Sequence, residues 1–595
     1  MPRVDLTIEV CGMAGDGTIA AGGILNEALS AGGFSVLGFD SYPAEIRGFG
    51  RCVARSRVGT DEILALEERV DALISLDDKE SLSRVPFLTD SAHVFFDNNP
   101  PVYMTEEQSL AAKVEPGVSL YGLPLSDLAA TAAGTNRGRN LTALGCFAAV
   151  FGLPPELFKR MIAAKFENKG RQVLDTNVKS FEAGYHYACE HFSNRLMKTL
   201  VPPERLEVVE KVMLSGNEAI GKAALDANVK FYFGYPITPA TPLMEYLAKR
   251  LPERGGRVVQ MEDEIASIGA VLGSFYAGTR AMTATSGPGF ALMTELLTHG
   301  TMAEIPAVIL DAQRGGPSTG LPTKTEQSDL HAAVFGGPGD SCRIVVAPTS
   351  VQECYAFTVM SFRLAEKYQT PVIVLTDFYL NNRVENIPAP HATDKETADG
   401  NVYPDRSAKG RYQRYELTDS GISPRAVPGM EGFAFSATGL EHAEKGTPNY
   451  SPEIHMRMTA KRHRKIYRAL EDLPAPVEYS DGGGLAVGVV AWGSTFGAAL
   501  EAVSAAREKG LKVGALKITS LFPFHEQVIR EFMARSEQVL IPELNFEGQL
   551  ANLIGHLHRK DVVRLNRVTG MPFPPAVVLR EIEGLIKGGS RENSR

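Results

Sequence analysis

Apolar residues in this chain gather into short continuous runs. A glycine- or proline-rich turn follows each run, and then a stretch with helical spacing. LTIEVCGMAGDGTIAAGGILNEALSAGGFSVLGFDSYP reads as a strand, a glycine-rich turn, a helix and a second strand. Similar alternation continues to about residue 190. VKFYFGYPITPATPLMEYLAKRL repeats it, as do GTRAMTATSGPGFALMTELLTHGTMAEIPAVILDAQ and LAVGVVAWGSTFGAALEAVSAAREKGLKVGALKI. Strand, turn and helix in regular succession predict an α/β protein with parallel sheets. In QMEDEIASIGAVLGSFYAG, Met261, Ile265, Ile268, Leu272 and Phe275 recur at helical spacing and predict the buried stripe of one helix. Ala266, Ala270 and Ser274, with Gly269 and Gly273 beside them, keep another face thin enough for a second chain or domain to approach closely.

Two stretches break the pattern. HFSNRLMKTLVPPERLEVVEK is polar and charged and reads as a linker. From Arg383 to about Gly484 the composition shifts to Pro, His, Arg and Gly with weak periodicity. That is too long for a simple loop and predicts an extended connector wrapped over other domains. At 595 residues the chain exceeds what one core supports. The predicted order is an α/β domain at 1–192, a linker at 193–210, a second α/β domain at 211–384, the connector at 385–484 and a third α/β domain at 485–595.

Composition narrows the class without naming the chemistry. The chain is 44% hydrophobic and 22% charged, with a net charge of −9. Such a balance gives no electrostatic case for nucleic acid or for a membrane surface. No uncharged apolar stretch reaches the length of about 18 residues that a membrane span needs. The start, MPRVDLTIEV, passes directly into a strand-like pattern, so an unprocessed cytoplasmic protein is expected. Cys11, Cys52, Cys146, Cys189, Cys342 and Cys354 form no C-x-x-C and sit near no His at metal-ligand spacing. All six are expected to be small buried hydrophobes, and no metal site of the chain's own is expected.

The candidate chemistry lies at the strand ends. Gly12, Gly15 and Gly17 form a turn whose amides could cradle a phosphate, although the spacing is the reverse of a dinucleotide fingerprint; Asp40 ends the second strand. Gly15, Asp16 and Gly17 also imitate the opening of a thiamine metal-diphosphate motif, but the following SYPAEIRGFG lacks the Asn that motif needs. In GYPITPATP, Thr238-Pro239 and Thr241-Pro242 each read as a helix start, with Thr as cap and Pro in the first turn. Such a helix end can also hold a carboxylate. Glu262, Asp263 and Glu264 occupy a predicted first turn, where the helix dipole favours negative charge. A helix so apolar must be largely buried, and burial makes a carboxyl a proton donor near neutral pH. Ser286, Gly287, Pro288 and Gly289 join a strand to a helix, and a long polar loop, RGGPSTGLPTKTEQSD, follows VILDAQ. All these junctions follow predicted parallel strands and should gather at the carboxyl edge of one sheet, where α/β proteins bind ligands.

Together, GYPITPATP, QMEDEIASIGA, TSGPGFALM and GGPSTGLPTKTEQSDL resemble the pyrimidine-binding domain in α subunits of 2-oxoacid:ferredoxin oxidoreductases. AWGSTFGAALEA and PELNFEGQL are similar to that subunit's transketolase C-terminal-like domain. GMAGDG and YPAEIRGFG resemble its γ domain, with Ala14 and Asp16 where Gly and Gln are more usual. The resemblance covers nearly the whole chain and is greatest for the 2-oxoglutarate type, a γ–α fusion. It implies a multidomain α/β chain: a γ-type domain, a thiamine-diphosphate-enzyme pyrimidine-binding domain and a transketolase C-terminal-like domain.

What the resemblance implies about chemistry is specific. The reaction would be reversible, coenzyme A-dependent oxidative decarboxylation of a 2-oxo acid, 2-oxoglutarate to succinyl-CoA and CO2, with electrons passed to ferredoxin. The chain would act only with a β subunit, as (αβ)2. That subunit would carry the Mg2+ and diphosphate site and a [4Fe-4S] cluster, so thiamine diphosphate would be shared. Glu264 would be the catalytic glutamate, hydrogen-bonded to N1′ of the aminopyrimidine, with Glu262 second in rank. Tyr235, Pro236 and Ile237, with Ser286, Gly287, Pro288 and Gly289, would line the cofactor. Thr238 would face the substrate. Arg314, Lys324 and Arg343 are candidates for its distal carboxylate, Thr319 is a further substrate-binding candidate, and Gly15, Gly17 and Arg47 are candidates for coenzyme A by analogy. His331 reads as a satisfied histidine. Pyruvate or a branched-chain 2-oxo acid are the alternative substrates; a different class, an NAD- or FAD-binding regulatory protein, would use the N-terminal turn alone.

Overall fold

The first apolar run forms the strand Asp5–Met13, the turn after it leads into the helix Thr18–Ala31, and the second run forms the strand Ser35–Ser41. The computed structural model describes residues 3–42, 50–99, 106–197, 199–202 and 211–588. These two strands are not neighbours. The strand Arg51–Gly59 lies between them, antiparallel to both, with Asp5 and Ser35 each opposite Gly59. Ser41 and Arg51 are separated by fewer residues than the dozen or so a parallel crossover needs, and the two strands pair antiparallel. The expected all-parallel sheet is therefore mixed here. Asp40 is held two strands away from the glycine turn, which is not the adjacent parallel pair of a dinucleotide fold.

The chain divides into two compact units: Met1–Leu214 with Arg383–Ala389, and Ser215–Asn382 with Pro390–Arg595. The first contains an eight-stranded sheet in the order Ser119–Leu123, Leu88–Asp97, Val70–Ser75, Asp5–Met13, Arg51–Gly59, Ser35–Ser41, Val384–Pro388, Lys211–Ser215. Its core packs Ile8, Val10, Leu25 and Phe147. The expected connector thus begins as a strand of the first unit. Asn386 fixes it there, accepting from Val36 N at 2.8 Å and donating to Phe34 O at 2.7 Å.

The second unit holds two sheets. The larger runs Ser520–Phe522, Ile344–Val346, Pro371–Asp377, Ala307–Gln313, Ala281–Thr285, Phe231–Gly234, Arg257–Gln260, and is parallel except for Ser520–Phe522. Ala307–Gln313 and Pro371–Asp377 are buried along their whole length, as central parallel strands covered on both faces must be. The smaller sheet runs Val477–Tyr479, Val513–Ile518, Leu485–Trp492, Ser536–Glu543, Val563–Asn566.

Most of the connector belongs to this second unit. Its helix Pro452–Arg468 is tied to the amino edge of the large sheet, where Glu304 precedes the strand Ala307–Gln313. Lys461 and Lys465, both buried, each place Nζ 2.7 Å from an oxygen of the fully buried Glu304. Burial alone would raise the Glu304 pKa, but Lys461, Lys465 and Arg414 hold it far below the ordinary carboxylate range. A depressed folded-state pKa contributes stability above the unfolded value, and that stability is lost as pH falls through the folded one. Glu304→Gln leaves two buried ammonium groups unpaired; a stability loss of about 3–5 kcal/mol is expected, read as a lowered melting temperature at neutral pH. An unchanged transition would show that the pair contributes nothing net.

Cys11, Cys52, Cys146, Cys342 and Cys354 are buried as expected, but Cys189 is exposed on the outer side of the helix Arg171–His191. Among the described residues no group of three or more His, Cys, Asp or Glu could hold a metal, and no helix is long and apolar enough to cross a membrane.

Candidate active site

Four loops meet at the carboxyl edge of the large sheet. The first follows Phe231–Gly234. Tyr235, Pro236 and Thr238 are exposed there, Ile237 is half-buried, and the Thr238-Pro239 bond is cis. The helix starts at Thr241 after Ala240, with no side-chain cap, so neither threonine caps it. The turn already satisfies those amides, since Ala240 N and Thr241 N donate to Ile237 O at 2.8 and 3.0 Å, and Pro242 has no N–H to satisfy. The carbonyl of Thr238 accepts a hydrogen bond from Arg314 Nη1 at 2.7 Å, which joins the first loop to the loop after Ala307–Gln313.

The second loop opens the helix Glu264–Tyr276. Asp263 is its cap, with Oδ1 accepting from Ala266 N at 2.7 Å. Glu262 lies outside the helix and is exposed, whereas Glu264 begins the helix and is buried. Glu264 is 5% exposed. Its carboxylate makes no hydrogen bond or ion pair among the described residues. The buried stripe is Glu264, Ser267, Ile268, Val271, Leu272 and Phe275; the expected Met261 is only half-buried, and Ile265 is 47% exposed. The stripe begins at Glu264 and not at Met261, because the cap falls on Asp263 and Met261 lies outside the helix. Gly273, on the thin face, has open space around it.

The third loop explains its glycines by close approach. A Cβ on Gly289 would come within 2.3 Å of Glu264 Oε1 and 2.1 Å of Thr285 Oγ1. Only glycine lets the helix Gly287–Met302 start against the glutamate. A Cβ on Gly287 would meet Asp329 Oδ2 at 2.8 Å. Ser286 is buried and its hydroxyl has no partner among the described residues.

The fourth loop, residues 314–329, forms one wall of a cavity of about 630 Å³ that Gly287 and Pro288 also line. Arg314, Glu326 and Asp329 face Asn545, Phe546 and Glu547, which come from the loop after Ser536–Glu543. Thr319 is exposed at the tip of the turn. Lys324 lies against Gly570, where a Cβ would meet the lysine side chain at 2.8 Å, and it does not line the cavity. Arg343 is elsewhere. It is fully buried just before the strand Ile344–Val346, at the amino edge of the sheet, where Nη2 donates to Gly336 O and to Ser341 Oγ. Burial pushes its pKa down to about 10. It precedes a parallel strand instead of following one, so the substrate expectation for Arg343 is corrected. His331 is satisfied, with Nε2 3.2 Å from Gln549 O.

The sequence did not single out Gln327 or Asp311. Gln327 is fully buried and clamps the fourth loop to the C-terminal domain. Its Nε2 donates to Trp492 O at 3.3 Å, its Oε1 accepts from Thr495 Oγ1 at 2.7 Å, and its carbonyl accepts from Asn545 Nδ2 at 3.0 Å. Asp311, on Ala307–Gln313, is fully buried with neither carboxyl oxygen partnered among the described residues. Burial, with the charge of Asp329 adding to it, raises its pKa well above the ordinary value.

In the first unit, Gly17 adopts the left-handed conformation at φ 78° and heads the helix Thr18–Ala31. Gly15 stands at φ 106°. Asp16 turns inward, its Oδ2 accepting from Met13 N at 2.8 Å, and Thr18 Oγ1 is buried without a partner among the described residues. Arg47 lies outside the described residues.

Three family models match the chain. Pyruvate ferredoxin/flavodoxin oxidoreductase covers residues 7–187, the thiamine diphosphate-binding part of pyruvate flavodoxin/ferredoxin oxidoreductase covers 222–461, and core domain II of pyruvate:ferredoxin oxidoreductase covers 486–573. A 2-oxoglutarate oxidoreductase subunit KorA of Mycobacterium tuberculosis is 32% identical over 98% of this chain and 92% of its own length. A 2-oxoglutarate synthase subunit KorA of Methanothermobacter marburgensis is 36% identical over 61% of this chain and 100% of its own. The solved structure of a 2-oxoglutarate:ferredoxin oxidoreductase from Magnetococcus marinus, with 2-oxoglutarate, coenzyme A and succinyl-CoA bound, matches with a TM-score of 0.91. It is 36% identical over 98% of this chain and 99% of that one.

The fold and these matches define an oxidoreductase with a thiamine diphosphate-binding domain. The chain belongs to the 2-oxoacid:ferredoxin oxidoreductase family, as an α subunit.

Proposed function

We propose that the chain is the α subunit of a 2-oxoglutarate:ferredoxin oxidoreductase, converting 2-oxoglutarate and coenzyme A to succinyl-CoA and CO2 and passing electrons to ferredoxin. The observation that carries this reading is Glu264, buried, without a partner among the described residues, and set against a glycine that leaves its carboxylate uncovered. That arrangement fits the aminopyrimidine end of thiamine diphosphate. Bound there, thiamine diphosphate supplies the nucleophilic carbon and the sink for the electrons of the broken bond. Glu264 would hold a proton at N1′, and Gly287 and Gly289 would let the ring lie close to the backbone. Thr238 and Arg314 would orient the substrate carboxylate, and the wall formed by residues 314–329 would exclude water.

The diphosphate, its Mg2+ and a [4Fe-4S] cluster are assigned to a β subunit in an (αβ)2 assembly in the cytoplasm. The exposed Ile265 and the open Gly273, on the helix that carries Glu264, support docking of that subunit beside the glutamate. Coenzyme A is assigned to the γ-type domain, with Gly15, Gly17 and Arg47 as its contacts.

The test is an anaerobic pull-down of the tagged chain from its host. A stoichiometric partner of roughly 30–40 kDa, the size of one α/β domain with an extension, should bring thiamine diphosphate and iron. Viologen reduction should then be fastest with 2-oxoglutarate among 2-oxo acids. A lone chain that turns over no 2-oxo acid would end the reading.

Thr238→Val gives a finer check. Thr238 is exposed and caps nothing, so the substitution should not affect folding. A several-fold rise in KM for the 2-oxo acid is expected from one lost hydrogen bond, worth about 0.5–1.5 kcal/mol. An unchanged KM would remove the threonine from the substrate site.

A further inference from the structure

The cavity has the wrong charge for the ligand proposed above. One guanidinium, Arg314, lines it, against three carboxyls, Glu326, Asp329 and Glu547. A 2-oxo acid brings one more carboxylate, and 2-oxoglutarate brings two. No other cationic side chain lines this cavity among the described residues.

Asp329 is the carboxyl placed to relieve this. Its backbone N donates to Gln313 Oε1 at 2.9 Å, which fixes it at the start of the helix Leu330–Phe335. Its Oδ2 is buried with no partner among the described residues. The strand Ala307–Gln313 presents Asp311 to it, also unpartnered, and the fourth loop presents Arg314 and Glu326. Glu547 faces from the C-terminal domain, with His331 Nδ1 3.9 Å from it. The helix Gly287–Met302 offers only Gly287 there, with no acid in its first turn. Beyond that turn stands Glu264, against Gly289.

Glu326 is committed, its Oε2 accepting from Gly316 N at 3.3 Å and from Ser328 Oγ at 3.2 Å. Glu547 is well exposed, so water screens it. Of the three carboxyls that line the cavity, Asp329 alone is both buried at its free oxygen and uncommitted. Burial and the like charge of Glu326 raise its pKa to about 6, with Arg314 opposing.

We propose that Asp329 takes up a proton from solvent as an anionic substrate enters the cavity, so that the lining sheds one negative charge and the charge of Arg314 is left to the substrate carboxylate. The inference rests on the 2-oxo acid reading of the site. Asp311 stands beside it in this arrangement, its pKa raised well above the ordinary value by burial and by the charge of Asp329.

The sign of the pH dependence follows. Below the Asp329 titration the proton is already in place and binding needs no uptake. Above about pH 6, binding must supply it, and KM rises about tenfold per pH unit, until the higher titration of the complex is reached. Turnover of the bound complex follows a separate course.

The experiment is steady-state turnover by the purified assembly of this chain with its partner subunit, 2-oxoglutarate varied, at pH values from about 6 to 8. KM and kcat are read separately. The wild-type KM should rise with pH, and KM of Asp329→Asn, which has the same shape without the proton, should be flat. Asp311→Asn should keep the rise; its loss there would assign the titration to Asp311 and overturn the proposal. A flat wild-type KM with turnover intact would also overturn it and leave the functional reading standing. No turnover of any 2-oxo acid would fail that reading, and the proposal with it.

Discussion

Glu264→Gln should give a folded, assembled subunit whose turnover falls by roughly 10²–10⁴-fold, the range that a positioned proton-transfer group contributes. Glutamine has the same length and volume, so the packing against Gly289, where even a Cβ would come within 2.3 Å of Oε1, is preserved. Folding should not suffer from the change of charge, because the carboxylate makes no hydrogen bond or ion pair among the described residues that the amide would break. The helix keeps its own cap in Asp263. What changes is the proton inventory: a carboxyl can hold or accept a proton at the cofactor nitrogen, and an amide cannot. The measurement is kcat with saturating 2-oxo acid and coenzyme A in the reconstituted assembly, alongside thiamine diphosphate content. Near-normal turnover would falsify the assignment. Glu264→Asp withdraws the carboxyl by one methylene and should also be severely impaired, since proton transfer depends on reach.

The loops of the candidate site were legible where they are local. Proline and glycine mark the turns after each strand, because turns are written within a few residues, and the acids beside an apolar helix mark Glu264 as the candidate; the caps read at Thr238 and Thr241 do not form. Arg343 shows the limit of local reading. It borders an apolar strand, but a strand has two ends, and only pairing shows that Ile344–Val346 runs parallel to Pro371–Asp377 with Arg343 at its start. Gln327 could not be found at all, because its partners Thr495 and Asn545 lie 168 and 218 residues away and a buried glutamine carries no periodic signal. The strand Val384–Pro388 was hidden similarly, since Asn386 finds Val36 350 residues back. Asp311 did leave a trace, a lone acid inside VILDAQ, in a strand buried along its whole length. A charge in such a strand is costly unless neutralised, and that cost is the signal.

Arg314 carries the second large effect. Its guanidinium is almost wholly buried, its Nη1 is bound to the Thr238 carbonyl, and its Nε has no partner among the described residues. One edge of the fork is thus used to fix the residue, and the rest is available to a carboxylate in the cavity. Lysine keeps the charge but presents it as a point, without a fork to divide between carbonyl and ligand. Arg314→Lys should therefore lower kcat/KM for the 2-oxo acid by on the order of 10²-fold, as expected for about 2–3 kcal/mol from a charge-assisted pair. The loss should be read in KM, because the carboxylate is bound as an anion in the ground state, before its bond to the ketone carbon breaks. The choice of substrate then identifies the carboxylate. Arg314 touches the loop that bears Thr238, so it should serve the carboxylate next to the ketone, which pyruvate and 2-oxoglutarate share. Equal losses on both substrates are expected. A loss confined to 2-oxoglutarate would instead place Arg314 on the distal carboxylate, and the group that leaves as CO2 would then have to be held by Thr238 or by the partner subunit.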